Sequence, residues 1–141
     1  MNTKTDFKNS IFIYLMAFVL VSNAQNVALG TWTAHLPLSN AISVCQSKDY
    51  IYAACEYGVI GVNADNHFTE KYTKVSGLAD VMPSQVGYDT ATSTLVIAYK
   101  NSDIDLIHHG KISNIPYLKN ASIIGDKSIQ SIFYTQGIAY I

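Results

Sequence analysis

Three groups of residues in this chain carry side chains capable of chemistry. His108 and His109, in "HHG", offer two imidazoles, the side chains most often used to bind transition metals. Asp103 and Asp105 lie two apart, and a carboxylate pair could serve a Ca²⁺ or a sugar. Cys45 and Cys55 are the only thiols. Each group also has a plainer use. Adjacent strand residues point to opposite faces, so two neighbouring histidines in a strand do not converge on one ion. "HHG" then reads as a hairpin turn into Lys111. Asp103 and Asp105 fall on one strand face with Ile107, while Ile104 and Leu106 face the core, so the acids read as a solvated face. With Val44 opposite Tyr52 in a hairpin, Cys45 stands opposite Ile51 and Cys55 lies four residues further along. At about 3.3 Å per residue that is about 13 Å, beyond the ~7 Å that a disulfide spans between Cα atoms. The two cysteines are expected to be unbridged.

The remaining candidates are weaker. Trp32 and His35 in "TWTAHLPL" could form an aromatic platform for a glycan, but "WTAHLPL" parallels "YTKVSGL", so Trp32 is expected to pack as Tyr72 does. Asp89-Thr90-Ala91 resembles a short bacterial O-glycosylation motif on a turn expected to be exposed. Asn120-Ala121-Ser122 is formally an N-glycosylation sequon. There is no G-x-S-x-G, no H-E-x-x-H and no phosphate-binding loop. The chain is read as a non-enzyme, with no catalytic, metal or cofactor-binding residues assigned and no ligand named.

The elements that would position these residues begin after a leader. Lys4 and Lys8 precede the uncharged run "IFIYLMAFVLV" (residues 11–21), and "SNA" follows, with Ser22 and Ala24 at the −3 and −1 positions of a signal-peptidase site. Residues 1–24 are therefore expected to be a secretory signal peptide. The apolar run is short of the roughly 20 residues that span a bilayer as a helix. Removing it with Lys4, Lys8 and Asp6 leaves seven lysines against nine acids, a net charge of −2, with no arginine anywhere. A nucleic-acid partner needs a basic face and favours the Arg fork. Nucleic acid is excluded on both counts.

Residues 25–141 carry an internal repeat. A shift of 44 places Val44 on Tyr88 and Ile132, Ile51 on Leu95 and Ala139, and Ile60 on Ile104. Apolar positions stay apolar, and a period of about 44 lies in the range of four-stranded propeller blades. The first unit reads as strands 41–45, 50–54, 59–63 and 68–72, the second as 85–88, 94–99, 104–108 and 111–116. Val, Ile, Tyr and Thr fill them, and "QSKD", "EYG", "ADNH", "DTATS" and "KNSD" separate them. Gly77-Leu78 is the crossing between the units. The fold class is all-β: a propeller of four-stranded antiparallel blades, incomplete here, with two blades and the start of a third. Thr31 to His35 is expected to be a closing outer strand whose partners lie in a longer protein.

These residues carry a family resemblance. "IYAACEYGVI" and "TLVIAYKNSDI" resemble two-component-regulator propeller repeats. The order "GTWTAHLPLSNAI", "KVSGLADV", "GYDTATSTLVIAYKNSDIDLI", "GKISNI" and "IIGDKSI" is similar to the N-terminal β-propeller of the PorZ family, from the type IX secretion system of Bacteroidota. That resemblance implies export to the periplasm or the cell surface at the outer membrane. It also implies partnership with the sortase PorU and with PorV and PorQ, presentation of anionic lipopolysaccharide for attachment to cargo, and a C-terminal secretion-signal domain further on. Two alternatives share the architecture: the periplasmic sensing propeller of a hybrid two-component regulator, and a surface carbohydrate-binding propeller. N-terminal sequencing of the exported protein is expected to begin at Gln25, and recovery of intact Met1 would contradict the leader.

Overall fold

The computed structural model describes residues 35–135 and 138–141. Four strands form the first sheet in sequential order: β1 (Ala41–Gln46), β2 (Tyr50–Cys55), β3 (Gly58–Asn63) and β4 (Thr69–Thr73). A second sheet repeats the meander with β5 (Pro83–Asp89), β6 (Thr94–Tyr99), β7 (Ile104–His108) and β8 (Lys111–Asn114). A hairpin of β9 (Phe133–Thr135) and β10 (Ile138–Tyr140) follows. Every pairing is antiparallel. Two short additions escape the strand pattern, a 3₁₀ turn at Lys74–Ser76 and one helical turn, α1 (Tyr117–Asn120). Among the described residues no helix is long and apolar enough to cross a membrane.

Side-chain alternation explains why the second sheet is so apolar. Successive residues of β6 point to opposite faces. Leu95, Ile97 and Tyr99 pack towards the first blade with Tyr52, Val59, Leu78, Val86 and Ile107. Val96 and Ala98 pack on the other side with Ile104, Ile129 and the partly buried Ile132 and Tyr134. Both faces of this blade are covered, so both must be apolar. At about 1.5–3 kcal/mol for each large side chain fully buried, these two seams are the main cohesive term. Among the described residues, one face of the first blade is covered. Ile42 and Val44 of β1, on the other, are 51% and 58% exposed.

The repeat is real but uneven. Ile51 and Leu95, which a shift of 44 superposes, face Gln46 and Tyr88, so the inner strands correspond at a shift of 42. Ala53 and Ile97 likewise face Ile60 and Asp105, a shift of 45. Turn lengths absorb the difference, because six residues separate the paired Tyr88 and Leu95 whereas four separate Gln46 and Ile51. Val44 therefore matches Val86 rather than Tyr88, and Ile60 matches Asp105 rather than Ile104.

The same register corrects the cysteine argument in detail. Val44 faces Ala53, and Cys45 faces Tyr52 rather than Ile51. Cys55 then lies three residues beyond Cys45's partner, about 10 Å along the strand. The conclusion stands: both thiols are free, and burial pushes Cys45 up to about 12 and raises Cys55 as well.

The crossing from β4 to β5 begins with the 3₁₀ turn, where Ser76 Oγ accepts from Thr73 N at 2.7 Å and donates to Thr73 O at 2.9 Å. Gly77 then takes φ 114°, a left-handed conformation that suits glycine. This drops Leu78, 3% exposed, into the seam between the blades. Of the expected closing strand Thr31 to His35, only His35 is among the described residues, and it is exposed and outside any strand. The leader 1–24 and Trp32 lie outside them.

Gly58 opens β3 at φ 154°, and a Cβ built there would overlap the Tyr72 carbonyl of β4. Gly58→Ala is expected to destabilise the fold by about 1–3 kcal/mol through backbone strain, with the overlap adding to it. Urea denaturation should show a lower midpoint at unchanged slope.

Candidate functional site

Two clusters of polar side chains lie at the blade seam. The first centres on the aspartates. Asp103 and Asp105, expected on a solvated face, are 4% and 0% exposed. The reason is that a strand inside a blade has no solvated face once neighbouring chain covers both sides. Asp105 takes the place that Ile60 holds in the first blade, and so points into the seam.

Its carboxylate is fully engaged. Tyr99 Oη donates to Oδ2 at 2.6 Å and the Ala79 amide donates to the same oxygen at 2.8 Å. Asn114 Nδ2 donates to Oδ1 at 3.0 Å. These donors come from β6, from the inter-blade crossing and from β8. Burial, and then the bond to Asp105, push the Tyr99 phenol well above its ordinary value. Asp103 is held next door. Asn114 Nδ2 and the Ile104 amide donate to Oδ1 at 2.8 and 3.1 Å, and Lys119 Nζ on α1 lies 2.9 Å from Oδ2. Burial alone would raise Asp103, but the bonds from Lys119 and Asn114 outweigh it and hold the carboxyl below the usual range. The bond to Asp103 raises Lys119 in turn. All but the Ile104 bond tie one element of the chain to another, which is the work of a structural network.

The second cluster lines a cleft of about 310 Å³ between the two blades, with Ser47, Asp49, Tyr50, Tyr52, Glu70 and Tyr72 on one wall and Tyr88, Ser93, Leu95 and His109 on the other. Tyr50, Tyr52 and Tyr88 form a row, with ring centroids 5.7 and 6.0 Å apart and planes inclined by 16° and 15°. Glu70 accepts from Tyr50 Oη at 3.2 Å and from Tyr72 Oη at 2.6 Å. Burial, then the charge of Glu70, raise the Tyr52 phenol to about 12. Burial and the bond to Glu70 raise Tyr72 further. Tyr52 and Tyr72 thus stay neutral at any ordinary pH. The sequence reading had no signal for this cleft, because its residues come from three turns and five strands and converge only through the packing of one blade on the next.

The other sequence candidates separate. His109 and Gly110, at φ 47° and 74°, form the two-residue turn between β7 and β8, the positive pair expected of a type I′ hairpin. Because His109 has left the strand, the two rings do not point apart: their centroids lie 4.1 Å apart, edge to face. Asp89 is buried, accepting from the Ala91 amide and from Thr92 Oγ1, and the Thr92 bond chiefly lowers its pKa. Thr90 and Ala91 are exposed, as expected. Asn120 is exposed at the end of α1.

Residues 51–141 match the family described as "TSS9, PorZ, N-terminal beta-propeller domain". The chain belongs to the PorZ N-terminal β-propeller family. The matched span runs from β2 to the end of the chain, so it holds the whole aspartate network. Among solved structures the chain is similar to PorZ of Porphyromonas gingivalis, described as an essential bacterial surface component of the type-IX secretion system of this human oral-microbiomic organism. The two share 24% identity at a TM-score of 0.72, over 79% of this chain and 15% of that one. At that identity the likeness speaks for the fold. This chain spans about 15% of the length of that PorZ. No curated protein matches the chain.

Within this PorZ-family propeller, Asp105→Ala would strand Tyr99 Oη and the Ala79 amide without an acceptor, while Asn114 keeps Asp103 and the Ile104 carbonyl. At about 1–3 kcal/mol for each buried group left unpaired, it is expected to be among the most destabilising single changes. Asp103 adds a pH signature. Its folded pKa is depressed, so its contribution is present above the unfolded value of about 3.9 and is lost as pH falls through the folded one. Chemical denaturation from pH 6 down to pH 2.5 should show wild-type stability declining in that window, more steeply than in Asp103→Asn.

Proposed function

We propose that this chain is the propeller portion of a PorZ-type component of type IX secretion, exported behind residues 1–24 and displayed at the cell surface. In that role it is non-catalytic and helps present anionic lipopolysaccharide to the sortase PorU, beside PorV and PorQ, for attachment to cargo. The match of residues 51–141 to the PorZ N-terminal propeller carries this reading. It favours secretion over the sensing and carbohydrate-binding propellers, which share the blades but not the family.

Disruption of the gene in its own host tests the proposal. Loss should leave type IX cargo unattached to lipopolysaccharide and released or retained rather than anchored, and the intact gene should restore anchoring. Normal cargo anchoring in the disrupted strain would overturn it.

A further inference from the structure

The cleft between the first two blades has a hydrogen-bonding character that its residues do not share individually. Ser47 Oγ donates to the Tyr50 carbonyl at 3.2 Å and accepts from the Tyr50 amide at 2.9 Å. Tyr50 and Tyr72 both give their phenolic hydrogens to Glu70. Three hydroxyl hydrogens are therefore spent within the wall, and what those groups turn towards the cleft is oxygen lone pairs. Two carboxylates, Glu70 and Asp49, also line it, and no lysine does. The rings of Tyr50, Tyr72 and Tyr88 also line it, and aromatic faces attract cations. The cleft is thus rich in acceptors, negative and aromatic.

We propose that this cleft is a binding site for a protonated primary amine, such as a lysine side chain or an amino sugar. An ammonium brings three donors and no acceptor, and Glu70, Asp49 and the hydroxyl oxygens of Ser47, Tyr50 and Tyr72 supply acceptors for them. A volume of about 310 Å³ lies at the small end of ligand pockets and suits a six-carbon amine. Charge argues equally against an anion, so the anionic lipopolysaccharide of the proposed function would have to be held elsewhere. The inference rests on the cleft and stands whether or not that function holds.

Calorimetric titration of the protein with four probes tests this: Nα-acetyl-lysine amide, glucosamine, N-acetylglucosamine and glucose 6-phosphate. One or both amines should bind saturably, and which one binds tells a lysine side chain from an amino sugar. N-acetylglucosamine, which lacks the charge, and the phosphate should bind at least tenfold more weakly. Glu70→Gln removes the charge while keeping an acceptor oxygen for one of the two tyrosines, and should weaken amine binding about tenfold or more. Asp49→Asn, at an exposed turn, should weaken it without touching the seam. Failure of both amines to bind, equal binding of N-acetylglucosamine, or unchanged amine affinity in both variants would overturn the proposal.

Discussion

The carboxylate of Asp105 is the interaction on which the arrangement of the blades depends. It is fully buried and takes hydrogen bonds from β6, from β8 and from the crossing that leads out of the first blade. Removing a carboxylate from water is costly unless every lone pair finds a donor. Here the donors are supplied by three different parts of the chain, so the cost is offset only when all three are in place. The network therefore discriminates against alternative packings as well as holding the native one. Hydrophobic seams between blades are non-directional. The aspartate supplies the direction they lack.

Blade construction follows from alternation and coverage together. A strand covered on both faces has no place for solvated residues, and this turns Asp103 and Asp105 from surface acids into structural ones. The same seam that is apolar at mid-depth, with Leu95, Ile97 and Val59, opens at one end into the tyrosine cleft. Tyr52 belongs to both, packed in the core cluster while lining the cleft. Core packing and the candidate binding surface are thus two depths of one interface, and a change in how the blades pack would alter both.

Much of this was legible in the sequence. The period of 44 placed two four-stranded units, and nearly every strand falls within two residues of its expected bounds. The order of motifs pointed to the family that residues 51–141 match. Register was less visible, because turns of unequal length hide inside an average period. Two extra residues between paired positions of the first two strands of the blade moved Tyr88 from Val44's place to Gln46's, and one extra between those of the next two put an aspartate where the first blade has Ile60. The fate of that aspartate could not be read from alternation, which says which face a residue takes but not what covers it. The tyrosine cleft was hidden for the same reason, since it exists only where two blades meet.

Amide hydrogen exchange at Ala79 tests the central claim most directly. Ala79 lies in the crossing, outside any strand, and its N–H has the buried Asp105 oxygen as its acceptor. If the network fixes the crossing to the second blade, this amide should exchange as slowly as those of β6 and lose its protection in Asp105→Asn, before the strands lose theirs. Exchange at Ala79 as fast as at exposed turn residues such as Lys100 in the wild-type protein would contradict the account.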